Sequence, residues 1–191
     1  MSENLSENLF VEHTVESAPP AARRSMEAVA KNLGYLPSPV ARMAPSPQLL
    51  EGFLKASALF ESTTLDVLAR EVLILTMATR NGCHVCVAMH TGKLTKLDAD
   101  ADLITALRDG RPLVDERLEA IRVFTIAVVE SAGAVDNDVL RAFLAHGYTT
   151  QNALEVVLGI GAYTISTLAN RMTGAPLDSQ LEAFAWHEHA A

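Results

Sequence analysis

The sequence predicts an all-α fold, and three observations carry the prediction. Apolar residues recur at helical spacing along most of the chain, and no segment keeps the period of two that a half-buried strand needs. Helix breakers punctuate it at Gly34, Asn81-Gly82, Gly110, Gly133, Gly147 and Gly174. Hydrophobic residues make up 49% of the 191 positions but aromatics only 5%, so the core is built from Ala, Leu, Val, Ile and Met, a composition that favours helices over sheets.

Residues 1–18 read as a flexible polar arm with a short SENL-SENL repeat, and 19–191 as one domain, in line with about 100–200 residues per domain. Pro19-Pro20 introduces a first helix at Ala21, which ends at Gly34. Prolines then punctuate the segment to residue 47, leaving room for at most one short helix. From about Gln48 to Glu61 a helix carries Leu49, Leu50, Phe53, Leu54, Ala58 and Leu59 on one side. Thr63 with Asp66 three residues on resembles a capping box, opening a helix to about Arg80 that Asn81-Gly82 stops. The next helix starts at or just before Cys83 and runs to about Lys96. DADADLITALRDG supplies an acidic first turn, a short helix and a stop at Gly110. Helices at 114–132, 136–146 and 149–173 follow, each closed by a glycine, with a last turn around 178–186. Gly159-Ile160-Gly161 lacks the strand that precedes a nucleotide loop, so it predicts close helix packing.

Lys and Arg number 15 against 23 Asp and Glu, a net charge of −8 and a pI near 5.2. That balance offers no footprint for nucleic acid or an anionic membrane. The first residues show no basic and apolar signal pattern, and the longest uncharged run, Val156 to Asn170, falls short of the ~20 apolar residues of a membrane span. A cytoplasmic protein is the expectation. Counting glycine and leaving out tyrosine, the apolar share is about 53%, above the usual ~45–50%. Such a surplus predicts a pocket or a subunit contact.

Cys83 and Cys86 are the only cysteines, at a spacing that random placement gives roughly 1% of the time. In a reducing compartment such a pair is more often redox-active or metal-binding than a structural staple. On a helix, Cys83, Cys86, Val87, His90, Leu94 and Leu97 form one stripe, with Cys86 and His90 one turn apart. On the preceding helix Glu71 shares a face with Leu68, Leu75 and Ala78, so its carboxylate points to the core and needs a partner. Arg70 lies on the face of Asp66, as an i, i+4 surface ion pair would place it. If the two helices fold back antiparallel, Glu71 lies about 15 Å down one and His90 about 12 Å down the other, at ~1.5 Å per residue, and the two meet. The order Glu71 to His90 to Cys86 then follows: carboxylate orienting imidazole, imidazole taking the thiol proton. A helix N-terminus favours thiolates, and two cysteines in one turn are close enough to form a disulfide. A thiolate that attacks a peroxide becomes a sulfenic acid, which a second thiol converts to that disulfide.

Glu71, then CHVCVAMH from Cys83 to His90, resembles the catalytic motif of the AhpD-like alkylhydroperoxidases of the carboxymuconolactone decarboxylase family. LGYLPSPVARMAPSPQLLEGF upstream is similar to the peroxidase-related branch, and the similarity covers roughly residues 25–100. The resemblance implies an all-α AhpD-like domain in a homo-oligomer. It also implies a hydroperoxide substrate, no bound cofactor, and a dithiol reductant, lipoylated or thioredoxin-like. Cys86 would be the peroxidatic cysteine, Cys83 the resolving one, His90 the base and Glu71 its supporting carboxylate. Well-known family members carry a histidine immediately before the second cysteine, where this chain has Val85 and places His84 one residue earlier.

Other readings stay open. A zinc site would need ligands beyond the two cysteines and His90, with His187 and His189 of the tail as distant candidates. A lactone decarboxylase-type lyase, or a non-enzymatic thiol redox sensor, would also fit the fold class. Tyr163, Asn170 and Trp186 carry no motif.

Overall fold

The computed structural model describes residues 9–187, and every regular element among them is helical. Of the expected arm, residues 1–8 lie outside the described residues. Residues 9–18 lead into the first helix, with Ala18 buried and Thr14 and Ser17 joined by reciprocal side chain to backbone hydrogen bonds.

Helix α1 (Pro20–Leu33) starts with proline, whose missing N–H costs nothing there, and stops at Gly34, which is left-handed at φ 82°. A short α2 (Ser38–Met43) fills the proline-rich stretch, and α3 (Pro47–Glu61) is capped by the Ser46 hydroxyl. The central α4 (Val67–Arg80) begins at Val67, not directly after Thr63. The Thr63 hydroxyl is occupied, donating to the Phe60 carbonyl at 2.7 Å, while Asp66 caps the helix by accepting the Ala69 N–H at 2.9 Å. The expected Asp66–Arg70 pair is also corrected: Asp66 pairs with Arg117 at 2.7 Å, and Arg70 donates to the Leu65 carbonyl.

After α4 come α5 (His84–Lys96), α6 (Ala101–Arg108), α7 (Glu116–Glu130), α8 (Asn137–Ala145) and α9 (Thr150–Thr173), then a 3-10 helix over Ser179–Phe184. Asp100 and Asp115 cap α6 and α7, and Thr149 and Asn152 form a reciprocal capping box on α9.

Residues 71–78 of α4 are all buried, and α5, α6, α7 and α9 pack around that helix. A second apolar cluster joins α1, α2 and α3 to Ala169 of α9. By length and composition α9 could span a bilayer, yet half of its apolar window is buried inside the protein, as in a core helix. Its outer face leaves Leu154, Val157, Leu168 and Met172 exposed, where part of the apolar surplus surfaces.

The two glycines of α9 differ. A Cβ on Gly159 would lie 2.6 and 2.7 Å from Phe60 ring atoms and 2.9 Å from a Leu73 methyl, so the absent side chain lets α3 and α4 close on α9. Nothing lies within 4 Å of a Cβ on Gly161. Gly159→Ala is therefore expected to destabilise by about 1–3 kcal/mol through overpacking. Gly161→Ala should instead stabilise by up to ~1 kcal/mol through helix propensity. Urea unfolding of the two variants checks the contrast.

Candidate active site

The site is set by the turn between α4 and α5. Asn81 ends α4, Gly82 takes the left-handed conformation at φ 61°, and the Cys83 N–H closes back on the Ala78 carbonyl at 2.9 Å. Helix α9 holds this turn from outside: the Asn81 side-chain amide donates to Thr167 Oγ1 at 2.8 Å, and the Arg171 guanidinium donates to the Asn81 carbonyl. Cys83 is thereby the N-cap residue of α5, and Cys86 sits in its first turn.

Down the hairpin, Glu71 is 0% exposed and its Oε2 lies 2.7 Å from His90 Nδ1. Lys93 Nζ, one turn beyond His90, reaches Glu71 Oε1 at 2.9 Å and Glu61 Oε1 at 3.1 Å. Burial alone would push the Glu71 carboxyl up, but His90 and Lys93 together hold it below the usual range. Burial would likewise lower Lys93; its two carboxylate partners outweigh that and raise it. With Nδ1 committed to Glu71, Nε2 is the ring nitrogen of His90 outside that pair. The Tyr163 ring stands edge-on to the imidazole at 5.4 Å.

The thiols are free, 2.7 Å apart, and buried, Cys83 at 1% exposure and Cys86 at 5%. Asn170 Nδ2 lies 3.3 Å from Cys86 Sγ and 3.8 Å from Cys83 Sγ, and Ser166 Oγ is 3.8 Å from Cys86 Sγ. The S–H shared with Cys86 brings the Cys83 thiol below its ordinary value against the opposing effect of burial, aided by the Cys86 N–H, Asn170 and Arg171. The same shared proton, then burial and the adjacent charge, drive Cys86 well above its ordinary value. The pair thus ionises one sulfur at a time, and the first negative charge lies at the helix N-terminus.

Of the residues singled out from the sequence, the structure brings Glu71 to His90 and Cys83 to Cys86. Cys86 and His90 lie one turn apart on α5, while Cys86 Sγ meets Cys83, Ser166 and Asn170. Val85 is buried and His84 exposed. Partial burial, then His187 and Arg171, lower His84, so the tail at His187 lies near the mouth of the site. His189 lies outside the described residues. Leu97 leaves the predicted stripe and is exposed. Among the described residues no cluster of three or more His, Cys, Asp or Glu could hold a metal ion.

Sequence reasoning missed Lys93, Ser166 and Asn170. Tyr163, Ser166 and Asn170 share one face of α9 at spacings of three and four, a polar file that could have marked Ser166 and Asn170.

Residues 47–124 match the carboxymuconolactone decarboxylase family model. The fold is similar to that of an alkylhydroperoxidase AhpD core, an uncharacterized peroxidase-related protein from Ralstonia eutropha JMP134, at TM-score 0.79 and 18% identity over 90% of this chain and 93% of that one. A peroxidase-related protein from Silicibacter sp. TM1040 gives 0.75 and 16% over 95% and 96%. The debrominase Bmp8, in complex with 2,3,4-tribromopyrrole, gives 0.74 and 16% over 92% and 95%. No curated protein matches the sequence.

The carboxylate at the centre of the hairpin fixes an acid dependence. Because the Glu71 carboxyl is held below its ordinary value in the folded protein, its stabilising contribution is present above the ordinary carboxylate range and is lost as pH falls through the folded value. Glu71→Gln should cost about 1–3 kcal/mol at neutral pH by leaving buried groups unpaired. It should also flatten the loss of stability as pH falls below about 5, measured by thermal unfolding against pH.

Proposed function

We propose that this chain, which belongs to the carboxymuconolactone decarboxylase family through residues 47–124 and has the AhpD-like fold, is a thiol-dependent peroxidase. It reduces organic hydroperoxides by cycling Cys83 and Cys86 between dithiol and disulfide. The observation that carries the reading is the pair of free thiols 2.7 Å apart at the start of α5, with His90, held by Glu71 of α4, one turn beyond Cys86 on α5.

Cys86 takes the attacking role that the family resemblance gives to the second cysteine of the motif, with Asn170 Nδ2 3.3 Å from its sulfur. Its proton passes to the Cys83 sulfur beside it or to His90, and the Cys86 thiolate attacks the terminal oxygen of R–O–O–H. An S–O bond forms, the O–O bond breaks, and the electron pair leaves on RO⁻, which takes up the displaced proton as ROH. The sulfur is oxidised to the sulfenic acid while the hydroperoxide is reduced to the alcohol. Cys83, as thiolate, then attacks the Cys86 sulfur; the S–S bond forms, the S–O bond breaks, and hydroxide leaves as water after protonation. His90 moves these protons, and Glu71 fixes its ring and tautomer.

A dithiol carrier, lipoylated or thioredoxin-like, returns the disulfide to the dithiol, and the buried sulfurs favour a slender arm. The chemistry needs no bound cofactor and a reducing compartment, the cytoplasm. The exposed apolar face of α9 suits a homo-oligomer.

Stopped-flow mixing with cumene hydroperoxide tests the reading. Disulfide should form faster than free cysteine is oxidised; a rate no higher rejects the peroxidase. Cys86→Ser should abolish turnover, and Cys83→Ser should leave a sulfenate on Cys86 that dimedone traps. The reverse pattern would exchange the roles of the two sulfurs. Activity retained in the double Cys→Ser variant would point to the lyase, and about one zinc per chain purified under reducing conditions would point to a metal site.

A further inference from the structure

Asn170 is 5% exposed, and the two ends of its amide are treated differently. Its Nδ2 lies 3.3 Å from Cys86 Sγ, 3.8 Å from Cys83 Sγ and 3.5 Å from Ser166 Oγ. Its Oδ1 is buried without a hydrogen-bond partner among the described residues. A buried amide oxygen left unpaired costs stability, so an asparagine that served packing alone would pair both ends or be replaced by an apolar residue of the same shape. An unpartnered acceptor beside two reactive sulfurs calls for a ligand that brings a donor. The terminal oxygen of a hydroperoxide does so, because it carries hydrogen.

We propose that Asn170 is a catalytic residue, its Nδ2 donating to the attacking Cys86 sulfur and its Oδ1 accepting the O–H of the hydroperoxide. The proposal rests on the peroxidase reading and deepens it. In the step written above, the terminal oxygen keeps its hydrogen as it passes from R–O–O–H to Cys86–S–O–H. One acceptor can therefore hold that hydrogen before and after the O–O bond breaks. Nδ2 meets negative charge on sulfur in the thiolate, and the same amide then holds the sulfenic acid while Cys83 attacks its sulfur. Ser166 Oγ, 3.8 Å from Cys86 Sγ and one turn before Asn170 on α9, adds a second polar group on that side. The class of substrate this geometry takes is a compound with a free O–O–H end; a dialkyl peroxide, R–O–O–R, offers Oδ1 no hydrogen.

The test compares wild type with Asn170→Leu and Asn170→Asp in three measurements: alkylation of the thiols by iodoacetamide, oxidation by cumene hydroperoxide, and thermal unfolding. Alkylation needs the thiolate only, whereas oxidation draws on both ends of the amide. In Asn170→Leu, oxidation should slow about threefold to tenfold beyond any slowing of alkylation, the factor expected from the loss of one hydrogen bond to the substrate. Asn170→Asp keeps an acceptor and loses the donor, so both of its rates should fall by the same factor. That variant also carries the test if the leucine chain does not fold.

Wild-type oxidation by dicumyl peroxide should be no faster than that of free cysteine. A folded Asn170→Leu protein that is oxidised at the wild-type rate, or whose two rates fall equally, overturns the proposal while leaving the peroxidase standing. A wild type inert to cumene hydroperoxide overturns the peroxidase reading itself, and the proposal with it.

Discussion

A carboxylate with no exposed surface has to be met by positive charge or by strong hydrogen-bond donors. Glu71 opens the buried run of α4, and both of its partners, His90 and Lys93, come from α5. They stand three residues apart, on one face of that helix, and engage the two oxygens separately. Sliding α5 by one turn would take away both contacts at once, so the pair fixes the antiparallel register of the hairpin. That register requires the tight Asn81-Gly82 turn, with a residue free to adopt φ 61°. It also delivers the two cysteines to the opposite end of α5 from Lys93, against α9.

Helix α9 then completes what the hairpin begins. Thr167 and Arg171 grip the turn, Ser166 and Asn170 reach the sulfurs, and Tyr163 stands edge-on to His90. These five residues follow helical spacing, so one face of one helix covers the site from the turn to the imidazole. Gly159, two turns before Ser166, lets that helix lie close to α3 and α4. The cover has a chemical consequence. Cysteines exposed by 1% and 5% are shielded from bulk solvent, so under the proposed chemistry a substrate that presents its reacting atom at a small free end has the advantage over one whose reacting atom is enclosed.

What the sequence made legible follows from which interactions are local. Helix limits were readable wherever a cap or breaker acts within a few residues, as at Gly34, Gly133 and Gly174, and so was the stripe from Cys83 to Leu94. Thr63 misled because its hydroxyl had two local choices, and the end of α3 claimed it. Arg70 misled because Asp66 found Arg117 on α7, a partner 51 residues away that no i, i+4 rule contains. Asn170 and Cys86 are 84 residues apart, so neither one's neighbourhood announces the other. Glu71 and His90 were the favourable case: their contact is tertiary, but a two-residue turn between straight helices makes its register a matter of counting.

The fold by itself does not choose a chemistry, since structures of the same shape include a protein that removes bromine. The discriminating features are the spacing and electrostatics of the two sulfurs. In a tetrahedral zinc site, Zn–S bonds of ~2.3 Å hold sulfurs about 3.8 Å apart, both ionised. Here they are 2.7 Å apart with Asn170 and Ser166 packed beside them, and ionising the second is opposed by the shared proton, by burial and by the charge on the first. A site built for a cation would have to open the pair and ionise both sulfurs. The proposed cycle asks less of the pair: one proton lost, and then a bond closed between two sulfurs that already lie side by side.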